Sequence, residues 1–177
     1  MVQIKKDVLL SNYSNYRIGG TARLFAEVSL VDELKEVLRF VKTNQGLNIF
    51  ILGGGTNLLI SDSGFDGLVI HNKIGGIKNQ GSTLTAGSGV LVCDLLDFCI
   101  ENSLSGLEWA GGLPGSVGGA VRGNAGAFKG ETKDSVLEVG SLSITTFQEK
   151  TRTNSECNFG YRNSIFKSEG EKEFITS

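Results

Sequence analysis

The sequence predicts an α+β fold in two lobes, roughly residues 1–72 and 73–177. Three observations predict it. An amphipathic helical stretch lies between two apolar, strand-like runs in the first half. Alternating apolar and polar segments recur in the second. Glycines, 25 of 177 residues, gather in clusters between the apolar runs. That is about twice the usual glycine share, while proline occurs once, so the composition describes specialised loops on a folded scaffold.

Leu24–Val28 reads as the first strand. Ser29–Lys42 is the clearest helix: Ser29 is its expected cap, and Asp32 and Glu33 complement the dipole in the first turn. Leu30, Leu34, Val37, Leu38 and Val41 repeat with the spacing of one buried face. Asn44 and Gly46 stop it. Leu47–Leu52 is a second strand, giving a β-α-β unit that runs straight into Gly53-Gly54-Gly55-Thr56-Asn57-Leu58-Leu59. Phe65–Ile70 is a third strand. In the second lobe Thr83–Ala86 alternates as a strand, and Val90–Glu101 places Leu91, Leu95, Phe98 and Cys99 on one helical face. Gly106–Gly126 reads mostly as loop with a short helix after Pro114. Val136–Thr146 alternates again, with a hairpin tip at Gln148-Glu149-Lys150.

The formal net charge is −2 and no basic run stands out, which argues against nucleic acid as a partner. No apolar run approaches the length of a membrane span, and the start shows no secretory signal. Cys93, Cys99 and Cys157 form no CxxC pair, which fits a reducing, cytoplasmic compartment. His71 has no metal-ligand spacing around it, so no metal site is expected. Cys93 and Cys99 are expected to pack inside their helix. Trp109 suits either a ligand site or the lobe interface, with the interface favoured.

Four motifs carry candidate chemistry. Gly53–Leu59 places bare backbone N–H groups in one tight loop, able to wrap a phosphate; a plain glycine-rich turn is the bland alternative. It departs from G-x-G-x-x-G and lacks the P-loop lysine. Gly111-Gly112-Leu113-Pro114-Gly115-Ser116-Val117-Gly118-Gly119 can lie flat against a ligand, with Ser116 offering a hydroxyl to a phosphate oxygen. A linker would carry fewer apolar residues, so a packed, buried loop is expected. In Gly123-Asn124-Ala125-Gly126-Ala127, small residues and one amide can approach a ring edge. In Cys157–Lys167, Arg162 stands among apolar and aromatic residues, where it is costly unless it meets an anion; a surface arginine on a strand is the alternative.

These motifs, in this order and joined by Tyr16-Arg17-Ile18-Gly19-Gly20-Thr21-Ala22, resemble the FAD-binding part of the UDP-N-acetylenolpyruvoylglucosamine reductase family. That family lies within the flavoprotein superfamily that includes vanillyl-alcohol oxidase (the PCMH type). The resemblance runs from about Asn12 to the end and is specific, because five separate motifs agree. It implies a two-lobed fold with FAD stretched between the lobes. Gly53, Gly54, Gly55, Thr56, Asn57 and Leu58 would hold the pyrophosphate. Gly111, Leu113, Ser116 and Gly119, with Asn124, Gly126 and Ala127, would line the rest of the cofactor. Arg162 would be the catalytic arginine, holding the enolpyruvyl carboxylate as negative charge builds. NADPH would be the hydride donor and UDP-N-acetylglucosamine enolpyruvate the substrate, in peptidoglycan synthesis. A monomer is expected.

The family's general-acid serine segment and its C-terminal glutamate are not found in this sequence, and Ser164 belongs to the arginine motif. The expectation is therefore an N-terminal portion without its substrate-binding domain, inactive alone. A FAD-binding module without turnover, or another FAD-linked oxidoreductase of the superfamily, are the alternatives.

Overall fold

Alternation along Thr21–Val28 and the apolar run Leu68-Val69-Ile70 within Phe65–Asn72 put these two strands at the centre of a sheet, where both faces are covered. The computed structural model describes residues 2–167 and 172–177. It divides into a first unit up to Ile74 and a second of Gly75–Ser177.

The first unit runs β1 (Lys5–Leu9), a 3₁₀ turn (Leu10–Tyr13), β2 (Thr21–Val28), α1 (Val31–Thr43), β3 (Ile49–Leu52) and β4 (Phe65–Asn72). Strand order is β1-β2-β4-β3. β1 is antiparallel to β2, while β2 and β3 are both parallel to β4. The β-α-β crossover thus leaves a gap that β4 fills. α1 lies against β2 and buries Leu34, Val37 and Leu38. A second cluster holds Leu10, Ala22, Phe25, Leu52 and Val69, with Tyr13, Leu58 and Phe65 packed on it.

Two expectations for α1 are corrected. Ser29 is not the cap. The Glu33 carboxylate reaches back to accept from the N–H groups of Ser29 (2.7 Å) and Leu30 (3.2 Å), so the acidic side chain satisfies the orphan donors. Leu30 precedes the first helical turn and is 62% exposed, off the buried face. β1 was not foreseen, because its Lys5-Lys6-Asp7 start has no apolar alternation.

The second unit contains a hairpin of β5 (Ile77–Gln80) and β6 (Thr83–Ala86), then α2 (Val92–Glu101), a 3₁₀ turn (Glu108–Ala110) and α3 (Val117–Gly123). A miniature hairpin of β7 (Gly126–Ala127) and β8 (Gly130–Glu131) follows, then β9 (Glu138–Ser143), β10 (Glu149–Thr153) and β11 (Glu173–Ile175). The last three form an antiparallel sheet in the order β10-β9-β11. Val121, Val139, Cys157, Phe166 and Ile175 make a core cluster beneath it.

Here too the structure corrects the sequence. Val92 and Cys99 are the buried residues of α2, Leu91 sits exposed at its start, and Cys93 is exposed with its thiol 3.5 Å from Asp94 Oδ1. Glu149 and Lys150 already belong to β10. The connection turns earlier, over Ile144–Gln148, with Phe147 at φ +63°. Among the described residues no helix is long and apolar enough to cross a membrane.

Candidate functional site

The glycine loop leaves the C-terminal end of β3, where parallel strands commonly present their ligand sites. Gly55 has φ +66°, and a Cβ there would lie 1.9 Å from the Tyr13 carbonyl oxygen. The loop is pinned to the segment after β1. Asn15 N–H donates to Gly55 O (3.1 Å), Ser14 Oγ donates to Leu58 O (3.1 Å), and Tyr16 N–H donates back to Ser14 Oγ (3.3 Å). Among the described residues the N–H groups of Gly54, Thr56 and Asn57 meet no protein acceptor. A rigid loop with uncommitted N–H donors and glycine in place of a Cβ fits the pyrophosphate of FAD. The Tyr13–Tyr16 clamp is a part of this arrangement that sequence reasoning missed, since nothing local marks a segment forty residues away as its partner.

Beside the loop, His71 on β4 pairs in register with Glu27 on β2, with Nδ1 3.2 Å from Glu27 Oε1. Tyr13 meets the His71 ring edge-on at 5.2 Å. Burial pushes the imidazole below its usual value, outweighing the Glu27 contact. Glu27 resists its own burial because Lys5 (3.2 Å) and His71 hold its carboxylate below the usual range.

In the second unit only part of the Gly111–Gly119 segment is packed. Gly115 O accepts from Val92 N–H (2.9 Å), Val117 N–H donates to Val90 O (2.9 Å) and Gly118 N–H donates to Ser88 O (2.8 Å). A Cβ on Gly118 would lie 2.9 Å from Ser88 Cβ. Gly111, Gly112, Pro114 and Gly119 are exposed and Leu113 is half-buried, so the expected buried loop is confined to residues 115–118. Ser116 is buried and caps α3, accepting from Gly119 N–H at 3.4 Å. Its oxygen is used locally, and its hydroxyl proton remains to donate.

Asn124 ends α3 in the left-handed conformation (φ +42°) and is 1% exposed. Its Nδ2 donates to Glu131 Oε2 (2.9 Å) and to Gly160 O (2.9 Å), and its Oδ1 accepts from Lys133 N–H (3.0 Å). The amide expected at a ring edge is thus spent on protein partners. Gly126 and Ala127 form β7. A Cβ on Gly130 would lie 2.4 Å from Trp109 Cγ, so the bare glycine lets the indole pack on the hairpin. Trp109 donates from Nε1 to Ser135 Oγ (3.1 Å), a partner within the second unit.

Arg162 is exposed, as in the surface alternative, but it lies in a turn rather than on a strand. Gly160 and Asn163 exchange backbone hydrogen bonds (3.0 and 3.1 Å) around Tyr161 and Arg162, and Arg162 has φ +54°. Ser164 Oγ donates to Arg122 O (2.7 Å) and Lys167 Nζ to Arg162 O (2.6 Å). Asn124, Gly126, Ala127 and Arg162, four of the expected site residues, line one open cleft of about 450 Å³ with Phe128, Lys129, Glu131, Lys133 and Tyr161. Within it Lys133 and Asn124 hold the Glu131 carboxyl below its ordinary range, and Glu131 raises Lys133 in turn.

Residues 22–143 match the FAD binding domain family. The UDP-N-acetylenolpyruvoylglucosamine reductase of Clostridium novyi (strain NT) is 36% identical over 169 residues, 95% of this chain and 54% of its own length. The crystal structure of UDP-N-acetylenolpyruvylglucosamine reductase from Thermus caldophilus superposes with a TM-score of 0.79 at 29% identity, over 99% of this chain and 60% of that one. CrmK, a flavoenzyme of caerulomycin biosynthesis, shares the fold alone, with a TM-score of 0.67 at 14% identity over 99% of this chain and 40% of that one. The chain spans little more than half the length of the curated relatives it matches. The expected α+β fold of the vanillyl-alcohol-oxidase (PCMH) type is borne out by these likenesses. With more than half of its residues matched, the chain belongs to the FAD binding domain family.

Proposed function

We propose that this chain is the FAD-binding part of a UDP-N-acetylenolpyruvoylglucosamine reductase. The observation that carries the reading is the match to reductases of that name over 95% of the chain. Bound FAD would supply the redox chemistry, accepting a hydride from NADPH and delivering one to the enolpyruvyl double bond, with a proton completing the reduction to UDP-N-acetylmuramate. The chain's own residues bind and orient. Gly54, Thr56 and Asn57 offer backbone N–H donors to the pyrophosphate, within the Gly53–Leu58 loop that Tyr13–Tyr16 holds rigid. The exposed Gly111, Gly119 and half-buried Leu113 give the cofactor a surface of small contacts, and the Ser116 hydroxyl proton is free to donate. Arg162 presents a planar fork of donors to the substrate carboxylate, binding it more tightly as negative charge accumulates.

The reading assigns these 177 residues no proton donor for the substrate, so alone they hold FAD without turnover. It places the protein in the cytoplasm as a monomer acting in peptidoglycan synthesis. The test is the visible spectrum of the purified chain after dialysis against FAD and then against buffer. A retained flavin band is expected, and a folded, colourless protein would refute the reading. In a protein that turns over, Arg162→Ala should cost about 3–4 kcal/mol of transition-state stabilisation, comparable to loss of one oxyanion donor.

A further inference from the structure

Trp109 is the chain's only tryptophan, and its half-buried side chain is committed on two sides. The indole lies on Gly130, the first residue of β8. A Cβ there would come within 2.4 Å of Trp109 Cγ and 2.6 Å of Trp109 Cβ, atoms that move only if the whole ring leaves. Trp109 Nε1 donates to Ser135 Oγ (3.1 Å), and Ser135 Oγ donates on to Gly106 O (3.3 Å). Gly106 N–H in turn donates to the Glu108 carboxylate (2.9 and 3.0 Å). The Glu108–Ala110 turn is thus closed on itself and packed on both β7 and β8.

The span that follows this turn has few bonds of its own. Gly111 N–H donates to Glu108 O (3.1 Å) and Leu113 N–H to Ala110 O (2.9 Å), so both bonds return to the turn. Gly112 has φ +76°, and an added Cβ there would meet nothing within 4 Å. Anchorage resumes at Gly115–Gly118, on Val92, Val90 and Ser88. On the other side of the indole, the hairpin is tightly built: a Cβ on Gly126 of β7 would stand 2.7 Å from Gly130 O. Trp109 therefore ties a glycine span to a rigid hairpin. The family resemblance gives both stretches to the cofactor, Gly111 and Leu113 on one and Gly126 and Ala127 on the other.

We infer that Trp109 is a positioning residue for the flavin cofactor: its indole holds Gly111–Leu113 against the β7–β8 hairpin, so that the two stretches form one preformed wall. The inference rests on the FAD reading above. A preformed wall lowers the ordering cost of binding, so its loss weakens affinity in a protein that still folds. The test is titration of the apo chain with FAD, with urea unfolding of each variant alongside. Trp109→Ala removes the ring and Gly130→Ala pushes it off, and each should weaken FAD binding about tenfold. Trp109→Phe keeps a ring on Gly130 and should recover most of that loss. Glu173→Gln is the control for stability alone. It removes a carboxylate held by Arg152 and Ser141, away from the indole, and should bind FAD as the wild type does. In the wild type, FAD should also quench most of the tryptophan emission, because flavin absorbs where indole emits and Trp109 is two residues from Gly111. The quenching needs no variant, so it decides even where Trp109→Ala does not fold. Wild-type protein that takes up no FAD refutes the FAD reading, and the role of Trp109 with it. If FAD is taken up while tryptophan emission is unquenched, the FAD reading stands and the role of Trp109 is overturned. Equal FAD affinity in the wild type, Trp109→Ala and Gly130→Ala overturns it in the same way. So does a Glu173→Gln defect as large as that of Trp109→Ala, since lost stability would then account for both.

Discussion

Gly55→Ala separates two costs that a glycine loop can impose. At φ +66° any L side chain strains the backbone by about 1–2 kcal/mol. In addition the new Cβ would sit 1.9 Å from Tyr13 O and 3.0 Å from Tyr13 C, which are backbone atoms that cannot swing aside. The loop and the Tyr13–Tyr16 clamp must then part, at an overpacking cost of roughly 1–3 kcal/mol. Gly46 supplies the control: its φ is +81°, yet nothing lies within 4 Å of an added Cβ. Gly46→Ala should therefore lose about 1–2 kcal/mol, and Gly55→Ala about 2–5 kcal/mol. Urea unfolding of the two variants beside the wild type measures the difference, which isolates the clash from the dihedral strain. Gly55→Ala should also lose flavin on dialysis, because the Asn15–Gly55 bond that fixes the loop is broken. Equal destabilisation by the two substitutions, with flavin retained in both, would refute the argument that Tyr13 clamps this loop.

Two further predictions concern charge. His71 is the chain's only histidine, and burial lowers its pKa, so the unfolded chain binds a proton first as pH falls. Stability should decline as pH drops below about 6.5, and His71→Gln should flatten that decline. Thermal unfolding with an unchanged slope in the variant would contradict this. Glu173 is buried, yet Arg152 (2.5 and 3.1 Å) and Ser141 (2.7 Å) hold its carboxyl below the usual range, with Lys150 at 3.6 Å. Glu173→Gln takes the carboxylate from the Arg152 guanidinium on β10 and should cost about 3 kcal/mol by urea unfolding near neutral pH. The wild type should lose the same stabilisation as pH falls below about 4.5, where the unfolded carboxyl takes up its proton. A cost of under 1 kcal/mol would mean that the ion pairs merely offset their desolvation.

Periodicity and glycine placement determined much of this protein by themselves. Leu34, Val37 and Leu38 are spaced for one helical face and are buried on one. The apolar run at Ile49–Leu52 ends in glycines, so a strand entering a tight loop was legible there without any knowledge of neighbours. Local chemistry acts over four or five residues, and these features are local. What lay beyond that reach was decided by the tertiary structure. The insertion of β4 between β2 and β3 depends on β2–β4 pairings over forty residues apart, as in Phe25 with Val69. The Tyr13–Ser14 clamp under Gly55 and the capture of Gly160 by Asn124 are contacts of the same kind. The Phe128-Lys129 tip carries no Asn-Gly turn signal, because its left-handed backbone is imposed by the hairpin around it. Arg162 shows the division most plainly. Its motif and a surface position could be read from the sequence, but the tight turn that carries it could not, since the Gly160–Asn163 closure is tied to Asn124, 36 residues away.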